Sequence, residues 1–220
     1  MPTDDAHPPV VRAFVLGDFM TNCYVVRPSR ESEACWIADC GYEPGEMLDF
    51  VVSEALKPQA IVLTHAHADH IAGLFEARSR LGNVPIWIHG AEESWLNDPV
   101  ANLSALAGRA VTGPVPDRLL AHGEELDLCG QTWRVAHTPG HSPGGISLIH
   151  EPSHQAIVGD ALFAGSVGRT DFPGSSHDAL IASIRRELYA LPDDTRVYPG
   201  HGPGTTIGDE KRRNPYARPD

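Results

Sequence analysis

The sequence predicts an α/β protein, a four-layer αββα sandwich, on three grounds. Apolar segments of strand length outnumber helical ones, helical segments recur between them, and potential metal ligands stand where apolar segments run out into loops. Residues 10–26 read as two strands around a turn near Gly17-Asp18, and 34–39 as a third. A helix is expected over 44–57: Pro44 suits a first turn, and Met47, Leu48, Val51, Val52, Ala55 and Leu56 make an apolar face. Residues 60–64 read as a buried strand, 71–81 as a helix and 85–88 as a strand. Hairpins follow over 124–135, turning at Gly130, and over 146–158, turning at Pro152-Ser153. The last clear helix spans 176–191, with Ser176 as N-cap and Leu180, Ile181, Ile184 and Leu188 on one side. Residues 196–198 close the set as a strand. The stretch 93–118, broken by Asn97-Asp98-Pro99 and by Gly113-Pro114-Val115-Pro116, reads as a surface excursion or a binding loop bordering a cleft.

A chain of 220 residues can bury one sizeable core, so one domain is expected over 1–220, with 1–9 as a flexible tail. The formal charge of −12 disfavours a nucleic-acid partner, whose phosphates call for Lys and Arg. No apolar run approaches the ~18–20 residues of a membrane span. The N-terminus is polar with no apolar stretch of signal-peptide type, so a cytoplasmic location is expected. Cys23, Cys35, Cys40 and Cys129 include no Cys-x-x-Cys pair and read as buried or partly buried thiols in a reducing compartment. Nothing in the pattern sets an oligomeric state.

The chemistry concentrates in Thr64-His65-Ala66-His67-Ala68-Asp69-His70, directly after the apolar Ala60-Ile61-Val62-Leu63. Alternate residues of an extended chain face the same way, so His65 and His67 can converge. Asp69 suits a helix N-cap, with Ile71, Leu74 and Phe75 at helical spacing behind it. A bland alternative is a polar strand-to-helix loop rich in His. Three further segments argue against it: His141 in Thr138-Pro139-Gly140-His141, Asp160 closing Ala156-Ile157-Val158-Gly159, and His201 after Val197-Tyr198-Pro199-Gly200. Each is a residue type that zinc, iron or manganese accepts, placed near the end of a strand.

With these motifs the chain resembles the metallo-β-lactamase superfamily, and within it the glyoxalase II-like hydrolases (hydroxyacylglutathione hydrolases). The resemblance runs from Asn22-Cys23-Tyr24 through the His-x-His-x-Asp-His run and Thr138-Pro139-Gly140-His141 to the Gly-Arg-Thr-Asp-Phe segment at 168–172 and Tyr198-Pro199-Gly200-His201. It implies the αββα fold and two adjacent divalent metals, zinc first, with iron or manganese also suited to the donors. His65, His67 and His141 would hold one metal and Asp69, His70 and His201 the other, with Asp160 bridging. A hydroxide between them would be the nucleophile, since metal binding brings the pKa of water from ~15.7 to about 7. Asp69 would also orient that hydroxide and relay its proton. Asp39 is expected to hold a ligand imidazole from behind. Cys40 stands where the family usually has Pro. His137 is expected to be a hydrogen-bonded structural residue and His89 a strand-end residue.

The implied partner is a small acyl-thiol, and the implied reaction thioester hydrolysis, as of S-D-lactoylglutathione. The helical extension with which two-domain glyoxalase II enzymes grip glutathione is not expected after Asn214-Pro215-Tyr216. Arg169 is the remaining candidate for holding an anionic substrate, unless it pairs internally with Asp171. Lys211, Arg212 and Arg213 read as a solvated face. The alternative function is an iron-dependent persulfide dioxygenase of the same fold, using His65, His141 and Asp160; those proteins tend to carry Cys where this chain has Val167. A β-lactamase is disfavoured because Asp160 stands where that family typically has Cys. A metal-stabilised binding module has no need of so open a ligand set.

Overall fold

In the computed structural model, which describes residues 8–218, β1 (Val10–Leu16), β2 (Thr21–Arg27) and β3 (Ala34–Ala38) form an antiparallel meander. The chain then crosses through α1 (Gly45–Ser53) into β4 (Lys57–Val62), parallel to β3. Two short helices, α2 (Ala68–Ile71) and α3 (Leu74–Leu81), lead to β5 (Ile86–His89), and β6 (Arg118–Leu120) completes the parallel half of this six-stranded sheet. The second sheet is built from β7 (Glu125–Leu128), β8 (Gln131–His137), β9 (Ile146–His150) and β10 (Gln155–Gly159), joined by β13 (Arg196–Pro199) and β14 (Thr205–Thr206). Between these last pairs lie the small hairpin of β11 (Leu162–Phe163) and β12 (Ser166–Val167) and then α4 (His177–Ser183); α5 (Ile207–Arg213) follows β14.

Strand alternation sorts the apolar residues into layers. Val25, Ile37 and Ile61 face outward with Met47, Leu48 and Leu74 of the helices, whereas Tyr24, Trp36, Ala38 and Val62 face inward. There they meet Trp133, Val135 and Leu148 of the second sheet, with Trp36 and Trp133 rings 6.5 Å apart. The outer side of the second sheet packs Ile149, Ala156 and Val197 against Leu180, Ile184 and Leu188. The layers therefore run helix, sheet, sheet, helix, as expected.

Several element boundaries differ from expectation for identifiable reasons. The helix expected over 44–57 stops at Ser53, because Ala55 takes a left-handed φ of +51° and Lys57 already pairs in β4. The helix expected over 71–81 is two pieces; Gly73 approaches the Gly41 carbonyl so closely that a Cβ would sit 2.5 Å from it. The helix expected over 176–191 keeps its Ser176 cap but widens into a π-turn over Ile184–Leu188. Cys129 is exposed, not buried: with Gly130 it forms a two-residue hairpin turn in which both residues have positive φ. Of the expected tail, residues 1–7 lie outside the described residues, but Pro9 is buried and its carbonyl accepts from Gln155 Nε2 at 3.1 Å. Among the described residues no helix is long and apolar enough to cross a membrane.

Candidate metal centre

Parallel strands deliver the key residues to one end of the sandwich. Asp39 follows β3, His65 and His67 follow β4, Asp160 follows β10 and His201 follows β13. His141 arrives on the loop between β8 and β9. The turn after β3 places Asp39 at a φ of +62°, a left-handed conformation that costs energy for a residue with a Cβ. In return its carboxylate accepts from the Thr64 N–H and hydroxyl, each at 2.7 Å, and from His70 Nδ1 at 2.8 Å. Asp39 thus holds the His70 imidazole from one side. Asp69 is not the N-cap: His67 holds that position, and Asp69 lies in the first turn of α2. Its Oδ2 accepts from the Thr21 hydroxyl at 2.9 Å and lies 3.1 Å from His201 Nε2.

The seven expected ligands converge. Donor atoms of His65, His67 and His141 form one group, those of Asp69, His70 and His201 another, and Asp160 joins His65 and His70 in a third; within each group the atoms lie within 4.8 Å of one another. Asp160 stands between the two sets, 3.4 Å from His141 Nε2, 3.5 Å from His70 Nε2 and 3.5 Å from His201 Nε2. Gly200 makes room for this carboxylate, since a Cβ there would meet Asp160 Oδ1 at 2.1 Å.

The polar atoms left over fit a cation. His65 Nε2, His67 Nε2, His70 Nε2 and Asp160 Oδ1 are buried with no hydrogen-bond partner, although buried polar groups are almost always paired. His141 Nδ1 donates to the Arg169 carbonyl at 2.8 Å, so the other nitrogen of the neutral ring carries a lone pair, and it faces His67 Nδ1 at 2.8 Å. Two basic nitrogens at that distance need a cation or proton between them. Electrostatics agree. Burial and the neighbouring rings, His70 first, push His65 well below the ordinary imidazole range, and burial with His141 brings His67 to about 3. His70 moves the other way: burial lowers it, but Asp69, Asp39 and Asp160 together raise it well above normal. Burial would raise Asp69 and Asp160, yet His70 leads the neighbours that hold both low. A group of carboxylates this enclosed calls for positive charge.

Above this floor opens a cleft of about 470 Å³, walled by Phe19, Tyr42, Leu103, Leu106, Phe163 and Phe172. The stretch expected to border the cleft does so through Leu103 and Leu106, after a 3-10 turn over Gly90–Asn97. Arg169 lines it too, but its guanidinium pairs with both Asp171 oxygens, at 3.0 and 2.8 Å, and lies 4.4 Å from the Phe172 ring centre. His137 is structural, bonding the Pro143 carbonyl at 2.8 Å, and His89 stacks on it. The charged run 209–212 is only partly solvated: Glu210 is buried, accepting from the Gly165 N–H, the Thr205 hydroxyl and Asn214 Nδ2.

Three contributors were not legible as site residues. Thr21 bonds Asp69, and Asn22 Nδ2 donates to the Pro199 and Gly202 carbonyls on either side of His201. Glu92 is buried behind the His65–His67 segment. In the sequence it is one acid beside Glu93, with nothing to mark its partners.

A two-sheet sandwich with clustered His and Asp at its strand ends defines a class of metal-site proteins. Residues 16–201 match the family described as the Metallo-beta-lactamase superfamily, and the chain belongs to it. It is 36% identical over 206 residues to the "Probable metallo-hydrolase YqgX" of Bacillus subtilis (strain 168), covering 93% of this chain and 96% of that protein. It is 35% identical over 200 residues to the "Hydroxyacylglutathione hydrolase GloC" of Haemophilus influenzae, covering 90% and 93%. Among solved structures it resembles the BLEG-1 B3 metallo-beta-lactamase (TM-score 0.90, 38% identity, 94% of this chain and 99% of that one). TTHA1623 in a di-iron-bound form (TM-score 0.83, 39%, covering 94% and 100%) and ETHE1 from Myxococcus xanthus (TM-score 0.75, 28%, covering 94% and 84%) are also similar. Members of this superfamily bind divalent metals, and the His/Asp cluster here is of that kind.

Proposed function

We propose that this chain is a thioester hydrolase of the glyoxalase II type, acting on a small acyl-thiol in the cytoplasm with two divalent metals, zinc foremost. His65, His67 and His141 would hold one metal and Asp69, His70 and His201 the other, with Asp160 within reach of both sets. The observation that carries this reading is the set of unpartnered buried donor atoms at the floor of an open apolar cleft. A closed structural site would leave no such access. The likeness to GloC supports thioester chemistry.

Divalent metals in this donor set supply Lewis acidity and bring water's pKa from ~15.7 to about 7, so hydroxide is available near neutrality. The chain's own residues do the rest. Asp69 is held by Thr21 and faces the cleft, where its carboxylate orients the attacking water and carries its proton toward the leaving thiolate. The aromatic walls shield the acyl-thiol from solvent, which strengthens every electrostatic interaction at the floor. Arg169 contributes a weak grip on an anionic substrate, because Asp171 already occupies its guanidinium.

The persulfide dioxygenase remains the second reading, favoured by the likeness to ETHE1 and by His141 lying 3.4 Å from Asp160. The test is thiol release from S-D-lactoylglutathione by metal-replete protein, with Asp69→Asn as control. Parallel arms follow oxygen uptake with glutathione persulfide and opening of a β-lactam. Thiol release abolished in the variant supports the hydrolase; oxygen uptake or β-lactam opening without thiol release replaces it.

A further inference from the structure

Glu92 is fully buried, and no Lys or Arg is bonded to it. One carboxylate oxygen accepts from the Ala66 N–H at 2.6 Å, and the other from the Gly144 N–H at 2.7 Å. Ala66 is the residue between His65 and His67, and Gly144 lies three residues past His141 on the second loop. The two loops are joined elsewhere by Ile146 N–H donating to the Thr64 carbonyl at 2.8 Å, behind the histidines. Glu92 ties them a second time, between the ligands on one loop and beside the ligand on the other. Gly144 is shaped to this contact, since a Cβ there would meet Glu92 Cγ at 2.8 Å.

The chemistry of the tie is selective. Two N–H donors face one side chain, with the Ser142 hydroxyl also beside it, and a carboxylate offers an acceptor oxygen to each N–H. Gln at this position could satisfy one N–H and would turn its amide NH₂ toward the other. Burying a carboxylate is costly, so a neutral strap would serve better if joining loops were its whole purpose. Glu92 holds the main chain next to His67 and near His141, whose ring nitrogens stand 2.8 Å apart. Asp39 bonds His70 of the other set directly and reaches His65 through the Thr64 hydroxyl.

Resting on the ligand assignment above, we propose that Glu92 is a positioning residue for one half of the metal centre. It sets the approach of His67 to His141 through the main chain beside each, and its hydrogen bonds reach no residue of the Asp69–His70–His201 set. The test is titration of metal-free protein with Co²⁺, followed by calorimetry and by the visible absorption of each bound ion, for wild type, Glu92→Gln, Glu92→Ala and Asp39→Asn. Losing a group that orients a metal ligand typically weakens metal binding about 10- to 100-fold. Glu92→Gln should weaken one of the two cobalt sites on that scale and alter its spectrum, Glu92→Ala more so, while Asp39→Asn, at a carboxylate that bonds His70 and through Thr64 reaches His65, weakens both.

If the Glu92 variants instead melt earlier when metal-free but bind both cobalt ions as wild type does, Glu92 is only a structural strap and the proposal is overturned. Should neither variant fold, Gly144→Ala, which displaces the carboxylate without removing it, must weaken the same single site; unchanged binding there overturns the proposal equally. Wild-type protein that takes up no cobalt overturns the ligand assignment itself, and the positioning role with it.

Discussion

The two halves of the centre are braced by different means. On the His70 side, Asp39 bonds the imidazole directly at 2.8 Å and so holds both ring orientation and tautomer. On the His67–His141 side, the acid bonds backbone instead: Glu92 holds the loops, and the rings are set by what the loops do, with the Arg169 carbonyl taking the His141 Nδ1 proton. Exposure differs as well. His65, His67 and His141 are buried, whereas the His201 side chain is 29% exposed and opens to the cleft. The difference lies in His201 itself, since His70 of the same set is fully buried and His67 and His141 line the cleft as well. His201 is therefore the point at which the centre is most open to solvent and substrate.

That contrast can be broken at several strengths. Asp160 belongs to both halves, so Asp160→Ala should remove both metals and abolish turnover; metal analysis of purified protein that still shows both ions would contradict its bridging place. Asp69→Asn should lower kcat by about 10²–10⁴ in the thiol-release assay, the range for loss of a general acid–base group. Chelation should strip the His201 half first and lower the melting temperature in two steps, because metal binding contributes to folding; a single step with simultaneous loss would show the halves to be equivalent. Gly200→Ala forces a Cβ against Asp160 Oδ1, and it should reduce metal content with a destabilisation of about 1–3 kcal/mol by thermal melting. Arg169→Ala should have the least effect, raising KM for S-D-lactoylglutathione by less than about 10-fold at unchanged kcat, the signature of lost uniform binding.

The same contrast explains what the sequence could reveal. His65, His67, Asp69 and His70 are compressed into one strand exit, and His141, Asp160 and His201 lie near the ends of apolar runs, so placement marks them as candidates and the family resemblance sorts them into a set. Asp39 was readable because it too ends a strand. Glu92 was not, because its partners are the main chain of residues 26 and 52 positions away. The 93–118 stretch was opaque for a related reason. It is wired by Asn102, whose side chain donates to the Trp95 and Val111 carbonyls and accepts from the Ser104 N–H, and polar wiring leaves no apolar periodicity. Helix α5 was missed likewise: Glu210 is buried by hydrogen bonds within a run of charges. The Asp69 cap failed because the chain turns one ligand earlier, at His67, which leaves Asp69 free to face the cleft.

The most direct measurement is the rate of thiol release from S-D-lactoylglutathione as Zn²⁺ is titrated into fully chelated protein. The two-half centre predicts no turnover without metal and a maximum only when both sites fill. Full turnover in the chelated protein would contradict the account at its foundation.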